Sequence, residues 1–595
     1  PLPQALWSPD SRVILTMQTD ERKVETLAFN VYVPADGTVR PKGLQTRYAL
    51  PGDEHIAEFR MLVIDVDTGE SVEAAYPRVL DAGTLGPFQR KRVWWSVDSV
   101  KAYFVDMARG EKRARVVEFN TLSGETSVLI EEVSETYIEL NVTSEDLCTF
   151  MPLPDSQELI WWSERSGWAH LYLYDLNTGE LKRTLTQGDW LVREVLGFDP
   201  VRRDVFVQIA GRDVERDPYY REVCRVNIDS GEMTSLASSD HDYVVHKQDS
   251  IFLIFVKYTG HDVDHVSGIS PSGNYFVTTR VRADEAPATE LRDRKGRIVS
   301  VLETADVSAL PEGWQWPEPV KLKAADGKTD IYGVVFRPTY FDPDEHYPII
   351  DFANCLPMMP MAPKGAFSSD GTSAMVYLAA AAWAELGFIV VMIDGRGTSC
   401  RDKAFHDHSY GRVHLASDLG DHIHGIQQLA DRYSYMDTER VGITGPGGCN
   451  AAAYGLLAYP DFYQVGITAS IYDVRIFSGF EAYQGPSREG GYMDSVLGQL
   501  AGNLRGRLLL IHGMMDNYFH PVSMFQLIDA LVEENKCFDM LMLPNGGHML
   551  RQGYTLCRAW DYMVRYLQGN EPPEGFKLMV GMEFALNTIQ DRHIN

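Results

Sequence analysis

Short runs in which hydrophobic and polar residues alternate fill the first half of the chain. Residues 61–70, for example, read MLVIDVDTGE and end in a Thr-Gly turn. Alternation with a period of two that ends in turn residues is typical of β-hairpins. The same turn recurs, and its glycines are Gly69, Gly124, Gly179 and Gly231, which lie 55, 55 and 52 residues apart. A repeat of roughly 50 residues predicts the four-stranded blades of a β-propeller, whereas a β-sandwich needs no such regularity.

A second marker alternates with these turns and reinforces the repeat. It is a serine-led turn that usually follows tryptophan, and it reads WSPDS at residues 7–11, WWSVDS at 94–99, WWSE at 161–164 and SPSG at 270–273. Dividing a β-rich segment of roughly 310 residues by a repeat of about 54 residues gives about six blades. We leave open that an N-terminal portion of the propeller is absent.

Beyond residue 316 the alternation gives way to near-continuous apolar runs separated by helical stretches. The predicted strands are residues 347–351, 388–394, 440–444, 465–468 and 507–511, and the predicted helices are residues 379–385, 418–430 and 451–458. Apolar strands of this kind indicate a sheet covered on both faces, as in a doubly wound, mostly parallel α/β sheet. We therefore predict two domains, an all-β propeller over residues 1–315 and an α/β domain over residues 316–595.

Composition narrows the classes of partner. The 595 residues include 55 basic and 83 acidic ones, a formal net charge of -28, which disfavours binding to nucleic acid or to an anionic membrane. No run of 18 or more uncharged apolar residues and no leader peptide is visible, so we expect a soluble protein, cytoplasmic or exported after removal of a leader. The seven cysteines form no CxxC pair, which argues against a structural zinc site or a disulfide scaffold.

Candidate chemistry lies in the second half. Residues 440–451 read RVGITGPGGCNA, at a predicted strand-to-helix turn where an α/β-hydrolase carries its nucleophile in the form G-x-S-x-G. Everything but the serine is present. Downstream, Asp516 follows the strand at 507–511 and His548 follows the next one, in the chain order expected of an α/β-hydrolase. We predict that His548 is the general base and that Asp516 holds its tautomer and stabilises the imidazolium.

Longer motifs extend across both halves. They read WWSERSGWAHLY at residues 161–172, DGRGTS at 394–399, KAFHD at 403–407 and YPDFY at 459–463. With these motifs the chain resembles the prolyl oligopeptidase family, and within it bacterial dipeptidyl-peptidase IV-like members. The resemblance implies a β-propeller followed by an α/β-hydrolase domain, and a serine peptidase that works through an acyl-enzyme. No cofactor or metal is implied, because this covalent mechanism needs none.

The elbow is one residue short of the family pattern, R-V-G-I-x-G-x-S-G-G-G. Matching forward from Arg440 puts the serine at Gly447, whereas matching backward from Pro460 puts it between Pro446 and Gly447. We hypothesise that the native chain has a serine between Pro446 and Gly447, absent from the printed sequence because it was chemically modified, for instance as an acyl or phosphonyl adduct. The alternative is a catalytically inactive pseudo-peptidase that acts as an interaction protein. Cys449 falls at the tip of the turn in neither register.

Stabilising the oxyanion of acyl transfer requires two hydrogen-bond donors. The first is the backbone N–H after the nucleophile, that of Gly447. The family often supplies the second from a tyrosine just after the strand at 347–351, but residues 352–356 read FANCL. We therefore expect the Asn354 side chain or a nearby backbone group in that role.

Substrate class depends partly on the propeller. Dipeptidyl peptidases of this family hold the free amine of the substrate with paired propeller glutamates. The adjacent pair in the predicted propeller, Glu131 and Glu132, matches an ordinary blade strand, and a solvated strand end is the favoured interpretation. We expect small peptide or acyl-amide substrates, screened by the propeller, with dipeptide release not supported. Acyl-aminoacyl, isopeptide and specialised ester substrates are alternatives.

Three residues fall in the specificity-pocket region of the family. Phe477 and Phe480 are predicted apolar walls of the substrate pocket, although core aromatics would look the same. Arg475 either meets a substrate carbonyl or carboxylate, or pairs with Asp473. Near the end of the chain, residues 576–582 read FKLMVGM, apolar enough to suggest a homo-oligomer contact or packing on their own domain.

Overall fold

The computed structural model describes residues 4–80, 87–88, 90–140, 149–245, 267–353, 356–367, 374–445, 450–485, 496–548, 550, 553–576 and 578. Its first half is built from five antiparallel sheets in succession. The first sheet and a side hairpin comprise β1 (Ala5–Trp7), β2 (Val13–Asp20), β3 (Thr26–Val31), β4 (Lys42–Arg47), β5 (Glu58–Asp65), β6 (Ser71–Glu73) and β7 (Val79–Leu80). Strands β1, β2, β5 and β6 lie side by side, β7 pairs with β5, and β3 and β4 form a two-stranded sheet of their own.

The next four sheets each contain four consecutive strands. The second comprises β8 (Val93–Trp95), β9 (Lys101–Met107), β10 (Arg113–Asn120) and β11 (Thr126–Val133). The third comprises β12 (Met151–Leu153), β13 (Glu158–Ser163), β14 (His170–Asp175) and β15 (Leu181–Thr184). The fourth comprises β16 (Leu191–Asp199), β17 (Asp204–Ala210), β18 (Arg221–Asn227) and β19 (Met233–Ala237). The fifth comprises β20 (Asp242–Val244), β21 (Tyr275–Arg282), β22 (Glu285–Asp293) and β23 (Ile298–Thr304). The predicted propeller blades are confirmed, with five sheets in the described residues against the estimate of about six.

The repeated turn is the same structure each time. Gly69, Gly124, Gly179 and Gly231 have φ between 73° and 82°, a left-handed conformation that favours glycine. In each turn the glycine N–H donates to the carbonyl four residues earlier. An Asp or Asn at that earlier position also accepts backbone N–H groups with its side chain, which fixes the hairpin before the outermost strand.

The paired tryptophans explain how neighbouring sheets hold together. Successive strand residues point to opposite faces, so Trp161 and Trp162 on β13 pack in opposite directions. Trp161 packs with residues of the second sheet, such as Tyr103 and Val116, whereas Trp162 packs with residues of the fourth, such as Val207. Both side chains are buried, so one short motif stabilises two interfaces between sheets.

The second half of the chain forms one mixed, eight-stranded sheet. Its strands are β24 (Glu318–Lys323), β25 (Asp330–Phe336), β26 (Tyr347–Phe352), β27 (Ile389–Asp394), β28 (Met436–Thr444), β29 (Val465–Ala469), β30 (Arg507–Gly513) and β31 (Asp539–Leu543). Their spatial order is β24-β25-β27-β26-β28-β29-β30-β31. The pairs that involve β24 or β25 are antiparallel and all others are parallel.

Helices cover both faces of this sheet. They are α1 (Ala374–Glu385), α2 (Lys403–His406), α3 (Leu419–Arg432), α4 (Ala451–Ala458), α5 (Glu481–Gln484), α6 (Val496–Leu500), α7 (Val522–Glu533) and α8 (Gly553–Met563), the last continued by a π-helical turn, Val564–Gln568. Short 3₁₀ turns lie at Pro154–Ser156, Asp407–Ser409, Val413–Leu415, Ser478–Phe480 and Ala501–Asn503. The Asp418 side chain caps α3 by accepting the N–H of Gly420 at 2.9 Å.

Alternate residues of the central strands enter two different cores. Ile349 and Val391 pack with α3, α4 and α7, whereas Ile350 and Val390 pack with α1 and α8 on the opposite face. Burial on both faces is why these strands read as continuous apolar runs, and the prediction of a doubly wound, mostly parallel sheet is confirmed. No helix in the described part of the chain is long and apolar enough to cross a membrane.

The two halves touch through polar and aromatic contacts. Arg109, at the end of the second sheet's β9 hairpin, places Nε 2.8 Å from Glu481 Oε1 on α5. Lys403 Nζ on α2 donates to the carbonyl of Tyr137 at 3.0 Å. At the C-terminal end, Phe576 packs against Trp560 of its own domain with ring centroids 6.4 Å apart, while residues 577 and 579–582 of the predicted oligomer contact lie outside the described residues.

Candidate active site

Asp516 is held at the carboxyl end of β30. Its side chain is fully buried, and Oδ1 accepts the backbone N–H groups of Tyr518 at 3.0 Å and Phe519 at 2.9 Å. Burying a carboxylate is unfavourable unless its oxygens accept hydrogen bonds, and these two N–H donors satisfy one of the two oxygens. The other oxygen, Oδ2, is left for a third partner.

That third partner is His548, which follows β31. Its Nδ1 lies 2.9 Å from Asp516 Oδ2, and its side chain is 25% exposed. The ring packs between Tyr518, at a centroid distance of 4.9 Å, and Phe519, also at 4.9 Å and perpendicular. The carboxylate favours the tautomer with hydrogen on Nδ1, so Nε2 is the free proton acceptor. The structure thus brings together the two predicted acid–base residues.

Two other histidines lie close to Asp516, and the Nε2 atom of His512 is 3.8 Å from Asp516 Oδ2. His512 is fully buried, and its Nε2 bonds to the carbonyl of Phe519 at 3.0 Å. His520 bonds through Nε2 to the carbonyl of Ala28 at 3.3 Å. Burial lowers the pKa of both imidazoles, so both are neutral near pH 7.

The predicted nucleophile turn joins β28 to α4, as an elbow requires. Strand β28 ends at Thr444, whose carbonyl accepts the N–H of Ala353 at 2.9 Å, and α4 begins just after Asn450. The Asn450 amide is tied to the backbone of Tyr472 by two hydrogen bonds, of 2.8 and 3.0 Å. Pro446 and Gly447, between which the serine is hypothesised, lie outside the described residues, as do Cys449 and Asn354.

Asp394 fixes the loop that follows β26, a role that sequence reasoning missed. Its Oδ1 accepts the N–H groups of Met361 at 2.6 Å and Ala362 at 3.0 Å. Lys364 in the same loop bonds to Asp217 of the propeller half at 3.1 Å. The DGRGTS motif contains Asp394 and was the available signal, but nothing in it indicates which backbone the carboxylate holds.

The predicted pocket residues fall in an aromatic cluster beside this pair. Phe477 and Phe480 are 5% and 1% exposed, and Phe477 lies perpendicular to Phe519 at 4.8 Å. Through Phe519 the cluster continues to the His548 ring. The guanidinium of Arg475 makes two hydrogen bonds to Asp473, of 3.0 and 2.8 Å, so the pairing left open above is present.

The adjacent glutamates of the second sheet are both engaged. Glu131 pairs with Arg115 across the strand and is partly exposed. Glu132 is not a solvated strand end, because its carboxylate is buried and accepts hydrogen bonds from Trp161 Nε1 at 2.7 Å, Ser163 Oγ at 2.6 Å and Arg165 Nη2 at 2.7 Å. That expectation was wrong for Glu132, since residues distant in sequence enclose the strand end.

Comparison with known proteins covers both halves. Residues 4–265 match the family described as the dipeptidyl peptidase IV (DPP IV) N-terminal region, and residues 374–570 match the prolyl oligopeptidase family. Residues 374–570 therefore belong to the prolyl oligopeptidase family, and residues 4–265 are similar to the N-terminal region of dipeptidyl peptidase IV. This confirms the resemblance inferred from the motifs of both halves.

The individual relatives have low sequence identity to this chain, but the matches cover most of its length. The chain is 25% identical to human dipeptidyl peptidase 8 over 650 residues, covering 96% of this chain and 67% of that protein. It is also 25% identical to a probable dipeptidyl peptidase 4 of Aspergillus fumigatus, covering 89% of this chain and 66% of that one. A crystal structure of Porphyromonas gingivalis dipeptidyl peptidase 4 shares the fold, with a TM-score of 0.74, 20% identity and coverage of 95% of this chain and 74% of that one. The chain spans about two thirds of the length of the curated relatives.

Proposed function

We propose that this protein hydrolyses peptide or acyl-amide bonds of small substrates through a Ser-His-Asp acyl-enzyme mechanism. The observation that carries the proposal is the 2.9 Å contact between His548 Nδ1 and the buried Asp516 Oδ2 at adjacent strand ends. It leaves Nε2 of a partly exposed imidazole free to accept a proton. The turn from β28 to α4 supplies a strand-to-helix site for the nucleophile on the same sheet.

The chemistry then follows from these positions. His548 Nε2 takes the proton of the serine hydroxyl as Oγ bonds to the scissile carbonyl carbon. The imidazolium, stabilised by Asp516, passes that proton to the leaving nitrogen as the C–N bond breaks. Water, deprotonated by the same imidazole, attacks the acyl-enzyme and releases the serine. Gly447 N–H and the Asn354 side chain are the proposed donors to the oxyanion.

The nucleophile in this proposal is a serine between Pro446 and Gly447. The flanks on both sides fit the family pattern, and only one residue is lacking between them. Peptide mapping of the native protein by mass spectrometry checks the proposal directly, because the extra residue and any adduct change the mass of the peptide that contains residues 440–451.

We further propose small peptides as the substrate class. The relatives are named dipeptidyl peptidases, and the propeller contacts the hydrolase half beside the site. Both Glu131 and Glu132 already have partners, so they do not serve as the amine-binding pair. A substrate library that contrasts free with blocked N-termini, and amides with esters and isopeptides, identifies the preferred bond. Hydrolysis of peptides with free N-termini would support release of short N-terminal fragments.

A fluorophosphonate probe separates this proposal from the pseudo-peptidase alternative. The printed run G-P-G-G-C, without serine, is the observation that favours an inactive protein. We expect covalent labelling of the full-length native protein at the serine hypothesised between Pro446 and Gly447, and loss of labelling in the variant His548→Gln. A protein that neither reacts with the probe nor cleaves any library member would be an interaction protein.

A further inference from the structure

A hairpin of the propeller half reaches the loops that carry Asp516 and His548. Strands β3 and β4 leave the first sheet between its neighbouring strands β2 and β5. The carbonyl of Ala28 accepts a hydrogen bond from His520 Nε2 at 3.3 Å. The carbonyl of Val33 accepts one from Asn545 Nδ2 at 3.1 Å. One hairpin therefore contacts both loops of the acid–base pair.

Tyr48, directly after β4, makes a contact that continues to the catalytic pair. Its hydroxyl donates to the carbonyl oxygen of Tyr518 at 3.0 Å. This carbonyl belongs to the peptide group whose N–H, that of Phe519, donates to Asp516 Oδ1 at 2.9 Å. Asp516 Oδ2 lies 2.9 Å from His548 Nδ1. A single peptide group thus links the hydroxyl of Tyr48 to the carboxylate that orients the imidazole.

We propose that Tyr48 is a positioning residue for the Asp516–His548 pair. The proposal rests on the proposed function for the roles of those two residues. A carbonyl that accepts a hydrogen bond polarises its own peptide N–H, so the tyrosine hydroxyl strengthens the bond from Phe519 to Asp516. Burial raises the pKa of Tyr48, and the charge of Asp516 adds to the effect, so the hydroxyl keeps its proton.

The variant Tyr48→Phe tests this positioning role, because it removes only the hydroxyl group of the side chain. The matched control is Tyr32→Phe, since Tyr32 lies directly after β3 in the same hairpin and is 49% exposed. We expect Tyr48→Phe to lower kcat roughly threefold to tenfold with KM unchanged within about twofold, as for loss of one hydrogen bond in a polarised chain. Tyr32→Phe keeps the kcat of the wild type.

A second readout needs neither substrate nor nucleophile. The proton between His548 Nδ1 and Asp516 gives a far-downfield NMR resonance, identified by its loss in His548→Gln. We expect this resonance to move or broaden in Tyr48→Phe and to stay in place in Tyr32→Phe. This resonance reports the His548–Asp516 pair directly, so it tests the positioning role of Tyr48 even if the protein hydrolyses no peptide. The positioning role and the proposed peptidase function can therefore fail independently of each other.

The pH profile gives a third readout. The titratable groups among the described residues that face the His548–Asp516 pair are His512, His520, Tyr48 and Tyr518, and burial lowers the pKa of both of these histidines. With the Tyr48 hydroxyl removed, the Asp516 carboxylate is less stabilised by its backbone donors and attracts the imidazolium proton more strongly. We expect the acid limb of kcat/KM to move to higher pH in Tyr48→Phe, whereas a merely structural effect lowers kcat without moving it.

The proposal is overturned if Tyr48→Phe matches the wild type in kcat and in the downfield resonance. If Tyr48→Phe has a lower melting temperature than the wild type, it is compared with the variant Val24→Ala, which truncates a buried residue just before β3. A Val24→Ala protein with the same loss of melting temperature but wild-type kcat supports the positioning role. An equal fall in kcat for both variants shows that Tyr48 acts only through hairpin stability and also overturns the proposal.

Discussion

At the scale of single residues, Asp516 divides its contacts between its two carboxylate oxygens. Oδ1 accepts two backbone N–H groups and Oδ2 faces His548. Asparagine keeps an acceptor for the backbone but presents an NH₂ group to Nδ1, which favours the tautomer that cannot take a proton at Nε2. We expect Asp516→Asn to lower kcat by about 10⁴-fold with the fold intact, as measured by steady-state hydrolysis and thermal melting.

The matched control is Asp529→Asn, because Asp529 lies on the exposed face of α7. It removes the same charge from the same half of the protein and should leave kcat unchanged. Activity of Asp516→Asn close to that of the wild type would show that another group orients His548.

Two buried histidines predict opposite pH dependences of stability. Burial alone lowers the pKa of His422, but Asp351, whose Oδ1 lies 2.9 Å from Nδ1, raises it overall. Burial lowers the pKa of His406 to about 3. Against an unfolded value near 6.5, His422 stabilises the fold below about pH 6.5 and loses this effect as pH rises, whereas His406 favours folding above about pH 6.5 and opposes it as pH falls.

Denaturant unfolding of His422→Gln and His406→Gln at about pH 5.5 and about pH 8.5 measures these signs. We expect the stability lost in His422→Gln to be larger at the lower pH, and that lost in His406→Gln to be larger at the higher pH. Each variant is the control for the other, because both remove a buried imidazole. The same trend in both would contradict the assignment.

At the scale of elements, the repeated glycine turns differ in what surrounds them. A Cβ on Gly179 would lie 2.3 Å from the carbonyl oxygen of Leu129 on the neighbouring sheet, whereas a Cβ on Gly69 meets nothing within 4 Å. Both have a left-handed φ, of 74° and 73°. We expect Gly69→Ala to cost about 1–2 kcal/mol from backbone strain alone and Gly179→Ala about 2–4 kcal/mol, measured by denaturant unfolding. Equal losses would mean that the sheets separate to admit the methyl group.

Elements with a strong local pattern could be predicted from the sequence, and those without one could not. The helix at 451–458 matches α4, and the strand at 465–468 is one residue shorter than β29. Strand β24 went unpredicted because it is an edge strand, alternately buried and exposed, and lacks the apolar run of the central strands. Strand β25 also went unpredicted, although it is an inner strand whose residues after Asp330 are all buried. Strand β28 begins at Met436, four residues before the predicted 440, because the polar residues at 437–440 interrupt its apolar pattern.

At the scale of the whole molecule, the acid–base pair could be predicted and its support could not. Asp516 and His548 follow consecutive strands of a parallel sheet, whose carboxyl ends meet at one edge. The Tyr48 contact spans 470 residues and ends on a backbone carbonyl, which has no sequence signature. The burial of Glu132 could not be predicted either, because its hydrogen-bond partners come from another sheet.

The interface between the two halves contains an acid, Glu164, which follows β13 and whose side chain is only 11% exposed. Its Oε2 lies 3.9 Å from Lys403 Nζ of the hydrolase half, and among the described residues no hydrogen-bond donor reaches that oxygen. Burial raises the pKa of Glu164 from 4.5 to about 7, an effect that Lys403 opposes and that the nearby acids Asp407, Glu132 and Asp402 reinforce.

The folded protein therefore binds the Glu164 proton more tightly than the unfolded chain does. Its stabilising effect is fully present below about pH 4.5 and is lost as pH rises through about 7. Glutamine resembles the protonated acid at every pH, so Glu164→Gln should match the wild type near about pH 4 and exceed its stability by about 2–3 kcal/mol near about pH 8. Thermal melting at both values measures this, with the exposed Glu180→Gln as control. A variant less stable than the wild type at the higher pH would show instead that Glu164 is ionised and holds the two halves together through Lys403.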